Sequence, residues 1–224
     1  MTIEIGLLLF PDVQQLDLTG PYEVLAGLPC ARMHLVAAQT GPVRASTGLT
    51  LLATTDFGTC PQLDIICVPG GGGVNALLRD PAVLDFLRRQ APGARYVTSV
   101  CTGALVLGAA GLLRGKRATT HWNAHHLLSP LGAIPVQARV VQDGNLFTGG
   151  GVTAGIDFAL ALVAEIAGPA AAQAIQLGLE YAPAPPFDSG SPETAPPDIL
   201  AAVRAKTAAT RQAREALVAE VAAG

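Results

Sequence analysis

The sequence predicts an α/β fold, in which a doubly wound, mainly parallel sheet carries helices on both faces. Short apolar runs of strand length alternate along the chain with segments of helical character, the order that parallel α/β sheets require. The runs 3–10 and 63–69 are almost continuously apolar, which is typical of strands covered on both faces. A third run, 96–100, leads through small residues into the apolar stretch 104–110, which predicts a strand, a tight corner and a helix. Together these observations favour a flavodoxin-like arrangement.

The other elements follow from local signals in chain order. Pro21 predicts a helix over 21–26 with proline in its first turn, and Asp80 followed by Pro81 predicts a capped helix that continues to Gln90. The remaining predicted strands are 33–38 and 116–120, with hairpins joining 43–46 to 50–54 at the sheet edge and 136–141 to 145–148 across Asp143-Gly144. The remaining predicted helices are 121–128, 153–166, 169–179 and 198–221.

Composition limits the classes of function. Of the 224 residues, 50% are hydrophobic and 14% are charged, so the chain can bury a large core with little disorder. A net charge of −3, without a basic run, argues against nucleic acid as a partner. No apolar stretch approaches the roughly 18 residues of a membrane span, and the N-terminal segment lacks a secretory pattern. We therefore expect a cytoplasmic protein that binds neither nucleic acid nor membrane.

The four cysteines match no zinc-ligand spacing, and no cluster of histidines or carboxylates suggests a metal site. We interpret Cys30, Cys60, Cys67 and Cys101 as reduced thiols, since no secretory signal places them in an oxidising compartment.

A change of composition divides the chain into an α/β domain over 1–181 and a C-terminal region over 182–224. This region consists of a proline-rich connector and a helix with charged residues on one face and apolar residues on the other. We expect this helix to pack on the same domain or on a dimer partner.

Cys101 stands at the corner between the strand 96–100 and the helix that follows it. A nucleophile at the tip of a strand–turn–helix corner is the arrangement of the serine-hydrolase elbow. The helix N-terminus favours thiolate over thiol, and Gly103 lets the backbone approach a ligand. The alternative is that Cys101 is a buried small apolar residue, as free cysteines often are.

Three features follow strand ends that meet at one edge of a parallel sheet, where ligands bind. They are Cys101, the glycines 70–73 and the segment that carries Asp17. We expect the amides of Gly71 and Thr102 to be candidate oxyanion donors. The alternative is a flexible turn without a ligand, because the glycines lack both the dinucleotide and the phosphate-loop pattern.

Asp17 lies between two leucines, so we expect a partly desolvated carboxyl with a raised tendency to keep its proton. Such an acid beside a thiolate can orient it and pass a proton to a substrate. A helix N-cap is the alternative for Asp17, and the two roles are compatible.

His121 lies 20 residues after Cys101 and could act as its base or pack at a helix start. Trp122, the single tryptophan, is interpreted as an anchor or a substrate contact. We expect Gly71, Gly72, His121 and Trp122 to form the substrate-binding part of the site.

Four motifs carry a resemblance to a known family. The Pro-Gly-Gly-Gly-Gly turn at 69–73, the segments 99–113 and 118–122, and the segment 149–160 together resemble the ThiJ/PfpI superfamily over roughly 3–181. Among its branches, the segment 10–21, Cys101-Thr102 and the C-terminal region are most similar to the isocyanide (isonitrile) hydratases.

That resemblance implies a cofactor-independent homodimer that converts a small isocyanide, R–NC, and water into an N-substituted formamide. It also implies that Cys101 is the nucleophile, Asp17 the acid/base partner and Thr102 a supporting hydroxyl. A thiolate attack with protonation by Asp17 would give a thioimidate, which water then hydrolyses.

Other activities of the superfamily remain open. Protease-like relatives carry a histidine directly after the cysteine, whereas Thr102 follows here, which argues against a peptidase. A fused DNA-binding region of the AraC type does not fit into the roughly 40 residues after Tyr181. The alternatives are a glyoxalase-like or deglycase-like enzyme acting on small aldehydes with His121 as base, and a redox sensor in which Cys101 becomes a sulfinic acid.

Overall fold

A computed structural model describes residues 2–223. The strands are β1 (Ile3–Leu8), β2 (Ala31–Ala37), β3 (Gly41–Arg44), β4 (Thr50–Ala53), β5 (Thr55–Asp56), β6 (Ile65–Val68), β7 (Tyr96–Val100), β8 (Arg117–Ala118), β9 (Ile134–Pro135), β10 (Val140–Asp143) and β11 (Leu146–Gly149). The helices are α1 (Gln15–Ala26), α2 (Val74–Leu77), α3 (Pro81–Gln90), α4 (Gly103–Ala109), α5 (Ala154–Ala167), α6 (Pro169–Gly178) and α7 (Pro197–Ala223). Two 3₁₀ turns span Ala91–Gly93 and Trp122–Leu127.

Seven strands form the central sheet in the order β10-β11-β7-β6-β1-β2-β5. Every neighbouring pair is parallel except β10 and β11, which form an antiparallel hairpin. Helices α1, α5 and α6 pack together, and α2, α3 and α4 form a second group. All four residues of β6 are buried, as a strand covered on both faces requires. The mainly parallel α/β fold predicted from the sequence is therefore confirmed.

The largest buried side chains include Phe86 of α3, Phe147 of β11 and Phe158 of α5, so the core extends across both helical layers. Within residues 2–223, every helix is too short or too polar to span a bilayer.

Helix α1 begins six residues earlier than predicted, so the expected helix over 21–26 is corrected to Gln15–Ala26. Pro21 lies inside the helix and not in its first turn. No side chain caps this helix start; instead the Gln14 N–H donates to the Gly70 carbonyl at 2.9 Å. A tertiary contact therefore sets the start, which a search for capping residues cannot find. The N-cap alternative for Asp17 is also wrong, because Asp17 is the third residue of α1.

Two further predictions need correction. The segment over 121–128 forms a 3₁₀ turn, Trp122–Leu127, where an α-helix was expected. The hairpin of β3 and β4 forms a separate two-stranded sheet and does not join the edge of the central sheet.

The capped helix is confirmed as α3, because the Asp80 carboxylate accepts from the Ala82 N–H at 2.9 Å. The second hairpin is likewise confirmed as β10 and β11.

Helix α7 lies against α2, α4 and the 3₁₀ turn Trp122–Leu127 of its own chain. Of the residues of this helix, all of which are described, Val218 alone is fully buried. Polar contacts complete the docking, including the Asn123 Nδ2 to Thr207 Oγ1 hydrogen bond at 2.9 Å. The C-terminal helix is thereby placed beside the carboxyl ends of the strands.

Candidate active site

Cys101 occupies the corner between β7 and α4 with a φ of +52°. This left-handed conformation costs a residue with a side chain about 1 kcal/mol or more, so the surroundings must hold it. The Cys101 N–H donates to the Gly149 carbonyl at 3.1 Å, and the Thr120 hydroxyl donates to the Cys101 carbonyl at 2.6 Å. Neighbouring β11 and the loop after β8 thus fix the corner from both sides.

Asp17 lies beside this corner with its side chain fully buried. Its Oδ2 accepts a hydrogen bond from the Gly70 N–H at 2.8 Å. Among the described residues, Oδ1 has no hydrogen-bond partner of good geometry, while the carboxyl as a whole interacts with the Cys101 thiol. Burial raises the pKa of Asp17 to about 7, against the lowering effects of the Gly70 N–H and the Cys101 thiol. The carboxyl therefore titrates near neutral pH, as its apolar sequence neighbours led us to expect.

The structure reverses one expectation for Cys101. Burial raises the pKa of its thiol well above the usual range, and the negative charge of Asp17 raises it further. The Thr102 N–H and the Thr102 hydroxyl lower it, but they do not outweigh burial. Helix α4 has only seven residues, and its N-terminus does not make thiolate the favoured form. Desolvation of the buried sulfur outweighs the effect of the helix N-terminus.

Gly70 allows the carboxyl, the elbow and the glycine turn to meet. A Cβ atom at Gly70 would lie 2.6 Å from the Thr102 nitrogen, 2.7 Å from its hydroxyl oxygen and 2.8 Å from Asp17 Oδ2. Those distances are closer than real Cβ contacts, so only glycine fits without displacement of the site.

The predicted oxyanion donors are only partly free. The Gly71 N–H donates to the Thr102 hydroxyl oxygen at 3.2 Å, so this amide already has a partner. Gly72 is exposed on the surface of the turn, where a Cβ atom would come no closer than 3.9 Å to its nearest neighbour, Asp12. The Thr102 N–H interacts with the Cys101 sulfur and lowers the pKa of the thiol. The turn therefore orders Thr102 beside the sulfur and does not present two open amides.

His121 and Trp122 line a cavity of about 630 Å³ next to the elbow. Thr120, whose hydroxyl binds the Cys101 carbonyl, lines the same cavity. The His121 Nδ1 accepts from the Asn123 N–H at 3.3 Å. Burial lowers the pKa of His121, and the charge of Arg214 lowers it further, so this imidazole is neutral at neutral pH. The predicted residues thus form two adjacent groups, the thiol–carboxyl pair with its glycine turn and the cavity lined by His121 and Trp122.

The sequence reasoning missed Arg214, which α7 brings to the site. Its Nε donates to Asn75 Oδ1 at 2.7 Å, and its Nη2 donates to the Gly71 carbonyl at 3.2 Å. Its charge interacts with both Cys101 and His121. No local motif marks it, because it is one of several basic residues along the helix.

No group of three or more potential metal ligands occurs within residues 2–223.

The fold and the site define a class: a flavodoxin-like α/β protein with a cysteine at a strained strand–helix elbow and a buried carboxyl beside it. A model of the DJ-1/PfpI family matches residues 4–165. The chain belongs to the DJ-1/PfpI family.

Individual relatives agree with this assignment. The chain is 63% identical to the isonitrile hydratase of Pseudomonas putida over 223 residues, which cover 100% of this chain and 98% of the relative. Among solved structures, a ThiJ/PfpI family protein from Pseudomonas syringae superposes with a TM-score of 0.95 at 42% identity, covering 97% of this chain and 91% of that one. Drosophila melanogaster DJ-1beta superposes with a TM-score of 0.71 at 26% identity, covering 82% of this chain and 100% of that one.

Proposed function

We propose that this protein hydrates isocyanides, R–NC, to N-substituted formamides without a cofactor, with Cys101 as nucleophile and Asp17 as the group that moves the proton. The observation that carries the proposal is the buried pairing of a thiol with a carboxyl whose pKa is about 7. The full-length similarity to the Pseudomonas putida isonitrile hydratase supports the same reaction.

The terminal carbon of an isocyanide must gain both a nucleophile and a proton. In the first proposed step the Cys101 sulfur forms a bond to that carbon, while the proton that Cys101 and Asp17 share is delivered to the same carbon. The product is a thioimidate, R–N=CH–S–Cys101, and Asp17 is left ionised. The pair thus supplies both groups that the carbon needs.

In the second step water adds to the thioimidate carbon. One proton of the water returns to Asp17 or to the leaving sulfur, the other reaches the nitrogen, and the C–S bond breaks. The products are R–NH–CHO and the original pair with its one proton. Thr102 supports both steps, because its N–H and hydroxyl stabilise negative charge on the sulfur as it leaves.

The cavity beside the elbow is the proposed site for the R group. Its volume of about 630 Å³ lies in the range of small-molecule sites. Its wall combines Trp122 and the neutral His121 with the charged side chains of Arg139, Glu193 and Arg204, so we propose a partly apolar substituent that contacts Trp122. Gly71 and Gly72 are not among the residues that line this cavity, so we propose a supporting role for the turn.

The test is formamide production from an aryl isocyanide by the purified protein, compared among wild type, Cys101→Ala and Asp17→Val. The half-buried Cys60 provides a control, since Cys60→Ala removes a thiol away from the elbow. We expect turnover by wild type and Cys60→Ala, and background rates for the other two. Survival of Asp17→Val would remove Asp17 from the mechanism, whereas an inert wild type would overturn the proposed function.

An inert wild type would direct attention to the aldehyde and sensor alternatives. Methylglyoxal conversion that is lost in His121→Ala would identify the aldehyde enzyme. Oxidation of Cys101 to a sulfinic acid by mild peroxide, without turnover of either substrate, would identify the sensor. The thioimidate itself is tested by acid quenching during turnover, because intact mass would rise by the mass of one isocyanide.

We also propose that the protein is a homodimer. Leu177 is 81% exposed and Phe187 is 77% exposed, and a partner chain that covered them would remove apolar surface from water. Light scattering that gives the mass of a single chain would contradict this proposal.

A further inference from the structure

We propose that Arg214 is a positioning residue of the active site, which orders the Gly71 turn and supplies the positive charge that offsets a Cys101 thiolate. The inference deepens the proposed function, since it concerns the same nucleophile. It also assigns a role to the C-terminal helix, which lies outside the family match at residues 4–165.

The contacts of Arg214 join α7 to the glycine turn. The guanidinium donates from Nε to Asn75 Oδ1 at 2.7 Å and from Nη2 to the Gly71 carbonyl at 3.2 Å. Asn75 belongs to α2, which begins directly after the glycines. Two donors in one planar fork, directed at two fixed acceptors, fix the orientation of the guanidinium.

Gly71 lies between two backbone hydrogen bonds, from the Gln14 N–H to the Gly70 carbonyl at 2.9 Å and from the Gly73 N–H to the Asp12 carbonyl at 3.2 Å. Arg214 adds a contact to the carbonyl of Gly71 itself. The Gly71 φ of +139° lies in a region that side chains rarely adopt, so no Cβ atom restricts this backbone. Its carbonyl accepts from Arg214, while its N–H donates to the Thr102 hydroxyl oxygen at 3.2 Å. The turn therefore connects Arg214 to Thr102 through a single residue.

Thr102 connects the ordered turn to the Cys101 sulfur. When its oxygen accepts from the Gly71 N–H, the hydroxyl hydrogen remains available for the Cys101 sulfur, with which Thr102 interacts through both its hydroxyl and its N–H. Loss of Arg214 would release the Gly71 carbonyl, and the hydroxyl would lose its fixed direction. The expected result is weaker stabilisation of negative charge on sulfur.

The charged and titratable groups around the sulfur come from three elements and one loop. Asp17 of α1 interacts with the Cys101 thiol, while Arg214 of α7 acts on Cys101 through its charge and forms its hydrogen bonds with the Gly71 turn and α2. His121 faces Arg214, and the buried thiol of Cys67 in β6 faces Asp17. Of these groups Arg214 is the permanent cation, because a guanidinium keeps its proton throughout the accessible pH range. Its positive charge interacts with a negative charge on Cys101.

Helix α7 has other anchors, so Arg214 can be replaced without removing the helix. His126 Nε2 lies 2.9 Å from Glu215 Oε1, and Arg79 forms an ion pair with Glu220. Val218 is buried beneath the helix. Arg204 of the same helix lies 5.9 Å from the Trp122 ring centre, so fluorescence of the single tryptophan reports whether the helix stays docked.

The test is the pH dependence of Cys101 alkylation by iodoacetamide in the full-length protein, followed by mass spectrometry of the Cys101 peptide. Hydrogen bonds to the charged form of a group lower its pKa, so loss of the contacts that order Gly71 and Thr102 should move the alkylation midpoint of Arg214→Met upward by about one pH unit. Alkylation below the midpoint should then slow about tenfold. Arg214→Lys, which keeps the charge but not the planar fork, should lie between the two. The matched control is Arg211→Met, because Arg211 pairs with Glu215 on the same helix.

An unchanged midpoint in Arg214→Met, with wild-type tryptophan fluorescence, would overturn the proposal. If Arg214→Met undocks α7, the test uses Asn75→Ala instead. This variant keeps the positive charge of Arg214 and removes the Asn75 acceptor that holds its guanidinium. A wild-type midpoint in Asn75→Ala would then refute the positioning role. Alkylation requires no isocyanide, so this test stands even if the wild type fails to hydrate one.

Discussion

The raised pKa of Asp17 has a consequence for stability that Asp17→Asn measures. A carboxyl whose pKa is about 7 in the folded protein and 3.8 in its ordinary environment binds more protons when folded than when unfolded. Stability from this group is therefore fully present below about pH 4 and is lost as the pH rises towards 7. At about 1.4 kcal/mol per pH unit, the whole loss is about 4 kcal/mol. About 2.5 kcal/mol of it falls between pH 5 and pH 8.

Asn resembles the protonated carboxyl and does not titrate, so Asp17→Asn should lack this loss. The assay is urea unfolding of wild type and variant at pH 5 and pH 8. The variant should gain about 2.5 kcal/mol relative to wild type between the two pH values, whatever its stability at pH 5. Asp85→Asn, at an exposed carboxylate that pairs with Arg88, measures the effect of losing a surface charge. Parallel pH dependence in wild type and Asp17→Asn would show that the buried carboxyl is already ionised at pH 5 and refute the reasoning.

Three further substitutions test the packing of the site and core. Gly70→Ala introduces a Cβ within 2.8 Å of Asp17 and Thr102, so it should cost about 1–3 kcal/mol in urea unfolding and abolish turnover. Thr102→Val leaves the Gly71 N–H without its acceptor, so it should lower the free energy of unfolding by about 1–3 kcal/mol. It should also raise the pH midpoint of Cys101 alkylation, whereas Thr102→Ser should restore the wild-type midpoint. Phe158→Ala empties a fully buried position and should cost about 3–5 kcal/mol, measured by the same unfolding assay.

The parallel sheet was predictable because its strands are buried on both faces. Runs such as 3–10 and 63–69 have no polar face, so their apolar pattern needs no tertiary information to be recognised. Helix α1 was misplaced for the opposite reason. Its start depends on the Gln14 N–H reaching the Gly70 carbonyl at 2.9 Å, a contact between segments far apart in sequence.

The residues of the site likewise fall into those that the sequence reveals and those that depend on tertiary contacts. Cys101 and Asp17 could be singled out because each follows a strand end and has a characteristic local setting. The protonation state of Cys101 could not be predicted from the sequence, since it depends on how completely the fold excludes water from the sulfur. Arg214 could not be found either, because only the docking of α7 separates it from its basic neighbours on the same helix. The occupied Gly71 N–H likewise depends on a hydroxyl 31 residues away in the chain.

The charges of the site explain how a buried thiol can still serve as a nucleophile. Moving the proton from Cys101 to Asp17 leaves the number of negative charges in the pair unchanged, so this transfer does not require a new charge to be desolvated. The charge of Arg214 and the Thr102 N–H and hydroxyl favour the arrangement with the charge on sulfur. The sulfur therefore becomes a thiolate only as its proton passes through Asp17 to the substrate. Between turnovers the thiol keeps its proton, and hydration proceeds with one proton and one negative charge circulating among the same groups.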